Sequence, residues 1–279
     1  MPEERAQKEE YVIAHATDLE PDAVITFDHA YGLARRSGGR LVTIHVAEAG
    51  SKEDAPDPKQ VLAGLSTPEG TVAHDVVVEL AKKNPKKKLV ATVRELNPDL
   101  LILATRQQSG EQKSFRSSIS EVAALDLKVP TLVLHVGQPG IVEEGELKLR
   151  RILLPVGDGA ETRDAIAGLV SFLERHGVDD VDIFMLRVGD DEVLDYLTVP
   201  ERKGWRFHRE VKKQGFVADT VAEVCEEKEI DLIAMASRGQ DGFVDVFSGT
   251  HTQKVIRRAP RPVLALAAED RVDTDEPLP

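Results

Sequence analysis

Along the chain, short apolar runs bounded by Gly, Pro, Asp and Asn alternate with longer stretches whose apolar positions recur at helical spacing. Runs this short and this continuous read as strands buried on both faces of a parallel sheet, and the periodic stretches as helices that cover it. In the first half the pattern predicts strands over 11–16, 40–47, 73–79, 100–104 and 131–136, with helices over 22–37, 86–96 and 117–127. In the second half it predicts strands over 151–156, 180–188, 205–212, 232–235 and 263–267, with helices over 163–176, 217–228 and 249–258. The segment 137–140 and the acidic run after it read as a solvated, turn-rich linker. Residues 51–70, rich in Pro, Asp and Gly, read as a long loop with room for a short helix over 58–65, and the acidic tail 270–279 as disordered.

The two halves are one unit written twice. Shifted by 132 positions, Asp99-Leu100-Leu101-Ile102 falls on Asp231-Leu232-Ile233-Ala234 and Ala104-Thr105-Arg106 on Ala236-Ser237-Arg238. With the same shift Gly110 and Phe115 fall on Gly242 and Phe247, and Pro130-Thr131-Leu132-Val133-Leu134 on Pro262-Val263-Leu264-Ala265-Leu266. Duplication accounts for matches that keep their order and recur in the same strand, loop, helix and strand. The expected architecture is therefore α/β: two tandem, doubly wound, five-stranded parallel-sheet domains over 8–137 and 149–268, Rossmann-like, with strand order 3-2-1-4-5.

Composition narrows the function classes. The chain has 279 residues, 41% hydrophobic and 30% charged, with only 4% aromatic, so it can bury two cores but offers little for base stacking. A formal net charge of -13 disfavours nucleic acid and anionic membranes as partners. No apolar run is long enough for a membrane span, and the polar, acidic start lacks the form of a signal peptide, so a cytoplasmic location is expected. The single cysteine, Cys225, excludes an internal disulfide; its neighbours Val217, Val221 and Val224 make it a small buried hydrophobe. There is no G-x-x-x-x-G-K-[ST] loop, H-E-x-x-H or G-x-S-x-G, so the usual phosphate-transfer, zincin and serine-hydrolase anchors are missing.

What remains is a glycine-rich connection after the fourth strand of the second half: Ala236-Ser237-Arg238-Gly239, nine residues, then Gly249-Thr250 opening a helix. Glycines let backbone approach a ligand, and a helix start presents unpaired N–H donors at the positive end of its dipole. Gly249, Thr250 and His251 would present such donors; Thr250 can also cap the helix, and Arg238 supplies charge. A second small-residue turn, Pro155-Val156-Gly157-Asp158-Gly159, follows the first strand of that half. In a 3-2-1-4-5 sheet both turns meet where the crossovers part.

This connection resembles the G-x2-G-x9-G-[ST] motif of the universal stress protein family, with Ala236 in place of the first glycine. The resemblance implies a tandem member of an adenine nucleotide alpha hydrolase-like fold, its halves packed as a pseudo-dimer through their last strands. It also implies ATP, with ADP or AMP as alternatives, and allows magnesium. By resemblance the nucleotide would meet Pro155, Val156 and Asp158 after strand one, the backbone of Val188 after strand two, Met235, Ala236, Arg238 and Gly239 after strand four, and Gly249, Thr250 and His251. In the first half Gln107 stands for Gly239 and Ser117-Ser118 for Gly249-Thr250, so that half is expected to bind no nucleotide. The family reading is a stress-response or regulatory protein with an unidentified protein partner, capable at most of slow hydrolysis, and allows a homodimer. The alternative is a nucleotide-independent interaction scaffold of the same fold.

Overall fold

The structure is a computed structural model; it describes residues 10–19, 23–48, 72–105, 127–157, 160–237 and 251–267. The expected long loop at 51–70, the acidic tail, and all but the last residue of the expected helix 117–127 lie outside the described residues.

The first half runs β1 (Val12–Thr17), α1 (Ala23–Ser37), β2 (Arg40–Glu48), β3 (His74–Ala81), α2 (Pro85–Leu96), β4 (Leu100–Thr105) and β5 (Thr131–His135). A two-strand hairpin, β6 (Val142–Glu143) and β7 (Glu146–Leu147), joins it to the second half. That half runs β8 (Arg151–Pro155), α3 (Ala160–Arg175), β9 (Val181–Val188), α4 (Glu192–Asp195), β10 (Trp205–Lys212), α5 (Val217–Glu227), β11 (Leu232–Ser237), α6 (His251–Arg258) and β12 (Val263–Ala267). All ten expected strands are present, their bounds moved by at most two residues.

Ten strands form one sheet in the order β10-β9-β8-β11-β12-β5-β4-β1-β2-β3. Each half has the expected order 3-2-1-4-5 with parallel neighbours, and the halves join where β12 pairs antiparallel with β5, Val263 opposite Val133 and Leu264 opposite Leu132. This pairing closes the edges that two apolar strands would otherwise leave open. Both faces of the sheet are buried. On one, α1 and α3 pack through Phe27, Leu33, Leu169 and Phe172 into a core that runs unbroken across both halves. On the other, α2, α5 and α6 pack through Val93, Val224 and Ile256. Cys225 is buried there as expected, its thiol pushed up to about 12 by desolvation.

Local chemistry accounts for the helix ends. Asn84 caps α2 by accepting from the Lys87 N–H at 3.1 Å, Pro85 opens the helix, and Asn97 ends it in the left-handed region at φ 47°. Two features differ from expectation. The linker is not wholly solvated, because Ile141, Val142 and Leu149 are buried in the core beneath the α1 face. In the second half the short α4, absent from the expected pattern, buries Leu194, with Leu197 and Val199 packed against the same core.

Candidate functional site

The two crossovers that leave β8 and β11 run on opposite faces, since α3 belongs to one core layer and α6 to the other. β8 and β11 are neighbours in the sheet, Ile152 level with Leu232 and Leu153 with Ile233. Their C-terminal ends therefore flank the point where the winding reverses, the place where open α/β sheets bind ligands.

Of the expected site residues, the structure brings together the strand ends. Pro155 closes β8 level with Leu186 of β9, and the Val156 N–H continues the ladder to the Leu186 carbonyl at 2.9 Å. Val188 closes β9, partly buried, while Met235 and Ala236 lie near the end of β11, Met235 buried and Ala236 half-buried. His251 opens α6. Asp158, Arg238, Gly239, Gly249 and Thr250 lie outside the described residues.

The turn after β8 is built by a residue that spacing alone did not single out. Thr162, buried in the first turn of α3, accepts from the Gly157 N–H at 3.0 Å and donates to the Gly157 carbonyl at 3.1 Å. Among the described residues, a side chain at Gly157 would meet nothing nearer than the Thr162 hydroxyl at 4.0 Å. Sheet register also shows that Gly157 occupies the level of Asp18 in the first half, because Ile13 pairs with Leu100 as Ile152 pairs with Leu232.

A second recurring device ties the first two strand ends together. Arg187, near the end of β9, donates through Nη1 to the Val156 carbonyl at 3.4 Å and through Nε to the Asp190 carbonyl at 2.9 Å. Beyond it Gly189 turns at φ 114°, a conformation that favours glycine, and its N–H meets the Lys212 carbonyl at 2.9 Å. In the first half the equivalent bridge runs from His45 Nδ1–H to the Thr17 carbonyl at 3.0 Å. The halves thus keep the same strand-end bridge with different side chains.

Away from the strand ends the halves diverge. In the first, His15 is fully buried with Nδ1 3.3 Å from the Thr43 hydroxyl and Nε2 3.0 Å from the Thr26 hydroxyl, and Thr43 also meets His74 Nε2 at 2.9 Å. Burial, with His74 close by, holds the His15 pKa down at about 3. Register and repeat place Leu154, Met185, Ala165 and Phe207 at the corresponding positions of the second half, all apolar. Among the described residues no group of three or more His, Cys, Asp or Glu could hold a metal, and no helix is long and apolar enough to cross a membrane.

A family model described as the universal stress protein family matches residues 12–135 and again 148–267. Among solved structures, a universal stress protein from Archaeoglobus fulgidus DSM 4304 is similar with TM-score 0.63 and 16% identity, covering 93% of this chain and 99% of that one. A putative universal stress protein from Pseudomonas aeruginosa UCBPP-PA14 is similar with TM-score 0.62 and 13% identity, covering 93% of this chain and 94% of that one. No curated protein matches the chain. Two successive matches that together span most of the sequence show that the chain belongs to the universal stress protein family, with one family unit in each half.

Proposed function

We propose that the protein is an adenine-nucleotide-binding stress-response or regulatory protein that holds one nucleotide per chain, in the second half. The observation that carries this reading is the Thr162-bonded turn at Gly157 beside the end of β11, at the winding reversal, from which a glycine-rich connection of family spacing leads to α6. The base would lie against the strand ends at Pro155, Val156 and Val188, with Asp158 on the ribose side. The phosphates would lie toward Met235, Ala236, Arg238 and Gly239 and on the N–H donors of Gly249, Thr250 and His251. Phosphate is the group such a helix start favours, and ATP, ADP and AMP share it. Any magnesium would enter with the phosphates.

The reading gives the first half no nucleotide, since Gln107 and Ser117 put side chains where the second half has Gly239 and Gly249. It divides the chain into domains at 8–137 and 149–268 and names no catalytic residue. Bound nucleotide would act by changing what the protein assembles with in the cytoplasm.

Mass spectrometry of small molecules released from freshly purified protein, followed by titration with a fluorescent ATP analogue, tests the reading. Gly249→Val is expected to abolish binding with the circular dichroism unchanged. Thr250→Ala is expected to weaken it up to about tenfold, the worth of one hydroxyl contact. Ser117→Val is expected to leave it untouched. Wild-type affinity in Gly249→Val, or no binding at all, would replace this reading with the nucleotide-independent scaffold.

A further inference from the structure

One buried imidazole ties the start of the linker hairpin to α1. His29, buried on α1, has Nδ1 2.7 Å from the Ile25 carbonyl one turn back, so Nδ1 carries the hydrogen and donates. Its Nε2 lies 2.9 Å from the Ile141 N–H and 3.1 Å from the Val142 N–H. Two amide donors converge on one ring nitrogen, and this works only while that nitrogen keeps its lone pair. The tautomer is therefore set by the fold: neutral, with the hydrogen on Nδ1.

The amides so held open the β6–β7 hairpin. Ile141 and Val142 are buried beside α1, the Lys148 N–H closes the hairpin on the Ile141 carbonyl at 2.7 Å, and Val142 lies against Gly32. Gly140 passes so close to the His29 ring that any side chain there would collide with it. At the far end of the hairpin Arg35 donates to the Gly145 carbonyl at 2.8 Å and to Glu146 at 2.7 Å. In the second half Gly168 takes the place of His29 on α3 and packs on Leu266, so the device belongs to the linker and not to the family unit.

We propose that His29 is a pH-sensitive latch, which fastens the linker hairpin to α1 while neutral and releases it on protonation. A hydrogen on Nε2 would face two N–H groups, turning two hydrogen bonds into two repulsive contacts. The surroundings offer the imidazolium little compensation. On its own helix Asp28 precedes it, and Arg35 is engaged with Glu146. The hairpin contributes Glu143, Glu144, Glu146 and Lys148, all of them exposed. The strands beneath α1 turn Ile13 and His15, Leu41 and Thr43, Leu100 and Ile102 toward it. Desolvation outweighs the Ile25 bond and lowers the ring's pKa from 6.5, which places release on the acid side of neutrality.

Hydrogen exchange of the full chain, read by mass spectrometry between pH 7.5 and 4.5 and corrected for intrinsic exchange, tests this. Peptides covering 141–149 are expected to lose protection by about tenfold for each pH unit below the ring's pKa, while peptides in β1 and β4 hold theirs. His29→Gln offers the hairpin amides an acceptor that does not titrate and should give a pH-independent profile. His29→Leu should leave the hairpin unprotected at every pH. Equal pH dependence in wild type and His29→Gln, or full protection in His29→Leu, would overturn the latch. Should both variants fold poorly, the wild-type ring nitrogen shifts decide it: a ring that gains its second proton while hairpin protection persists overturns the proposal.

Discussion

At the scale of single residues, the two halves differ in a polar network buried under α1. His15, Thr26, Thr43 and His74 come from four elements and satisfy one another under α1, where the second half is apolar. Burial lowers the folded-state pKa of His15 to about 3, so the unfolded chain takes up the proton first, near 6.5. Its contribution to stability is complete above the unfolded value and is lost as pH falls from there toward 3; at pH 4.5 the loss is about 3 kcal/mol. The pKa values of His29, His74 and His135 are also lowered by burial, and they act in the same direction. His15→Leu, which copies Leu154, should cost about 2 kcal/mol at pH 7 for two lost buried hydrogen bonds. It should also lose about 3 kcal/mol less than wild type between pH 7 and 4.5. Urea unfolding at the two pH values measures both; parallel losses would show that His15 does not titrate on unfolding. None of this network was legible in the sequence. Each member sits in its own segment far from the others along the chain, and nothing local says that three separate strands and a helix bring them together.

Among elements, legibility followed how much of the fold-determining pattern was local. Strands and crossover helices repeat their apolar period within each segment, and the repeat supplied a second reading of most of them, so their positions and the 3-2-1-4-5 order could be inferred. The hairpin and α4 could not. Ile141, Val142 and Leu149 are set among Glu143, Glu144 and Glu146, so the segment reads as solvated until α1 is there to cover it. The candidate site divides in the same way. Its strand ends and glycine turn follow from topology, whereas Thr162 and Arg187 act through backbone groups they meet only in the folded turn. One element carries its own test. The first turn of α2 holds Lys86, Lys87 and Lys88 and no acid, an arrangement the helix dipole opposes, so its start leans on Asn84. Asn84→Ala should lower stability by about 1 kcal/mol in thermal or urea unfolding, and Asn84→Asp, which keeps the cap and adds a negative charge, should not. Equal loss in both would assign the effect to something other than the cap.

At the scale of the whole molecule, the two family units are not beads on a linker. One sheet and two core layers pass through the β5–β12 seam, and further contacts bridge the halves. Arg36 of α1 donates to the His176 and Gly177 carbonyls just after α3, and Arg175 lies over the Tyr11 ring at 4.4 Å. Elsewhere His135 of β5 donates to the Ile256 carbonyl of α6. Because neither half has a core of its own on the α1–α3 face, the chain should unfold as one cooperative unit. The sequence provides the probes to check this. Its one tryptophan, Trp205, is buried in the second half with its indole N–H on the Val178 carbonyl at 2.8 Å, so its fluorescence reports that half while far-ultraviolet circular dichroism reports both. The two urea transitions should coincide. Leu132→Ala, in β5 of the first half and opposite Leu264, removes a fully buried side chain at a cost of about 2–5 kcal/mol. In a coupled molecule that loss must move the Trp205 midpoint as far as the dichroism midpoint, though the substitution lies in the other half. A tryptophan transition that stays in place while the dichroism splits into two steps would mean that the seam joins two independently stable domains.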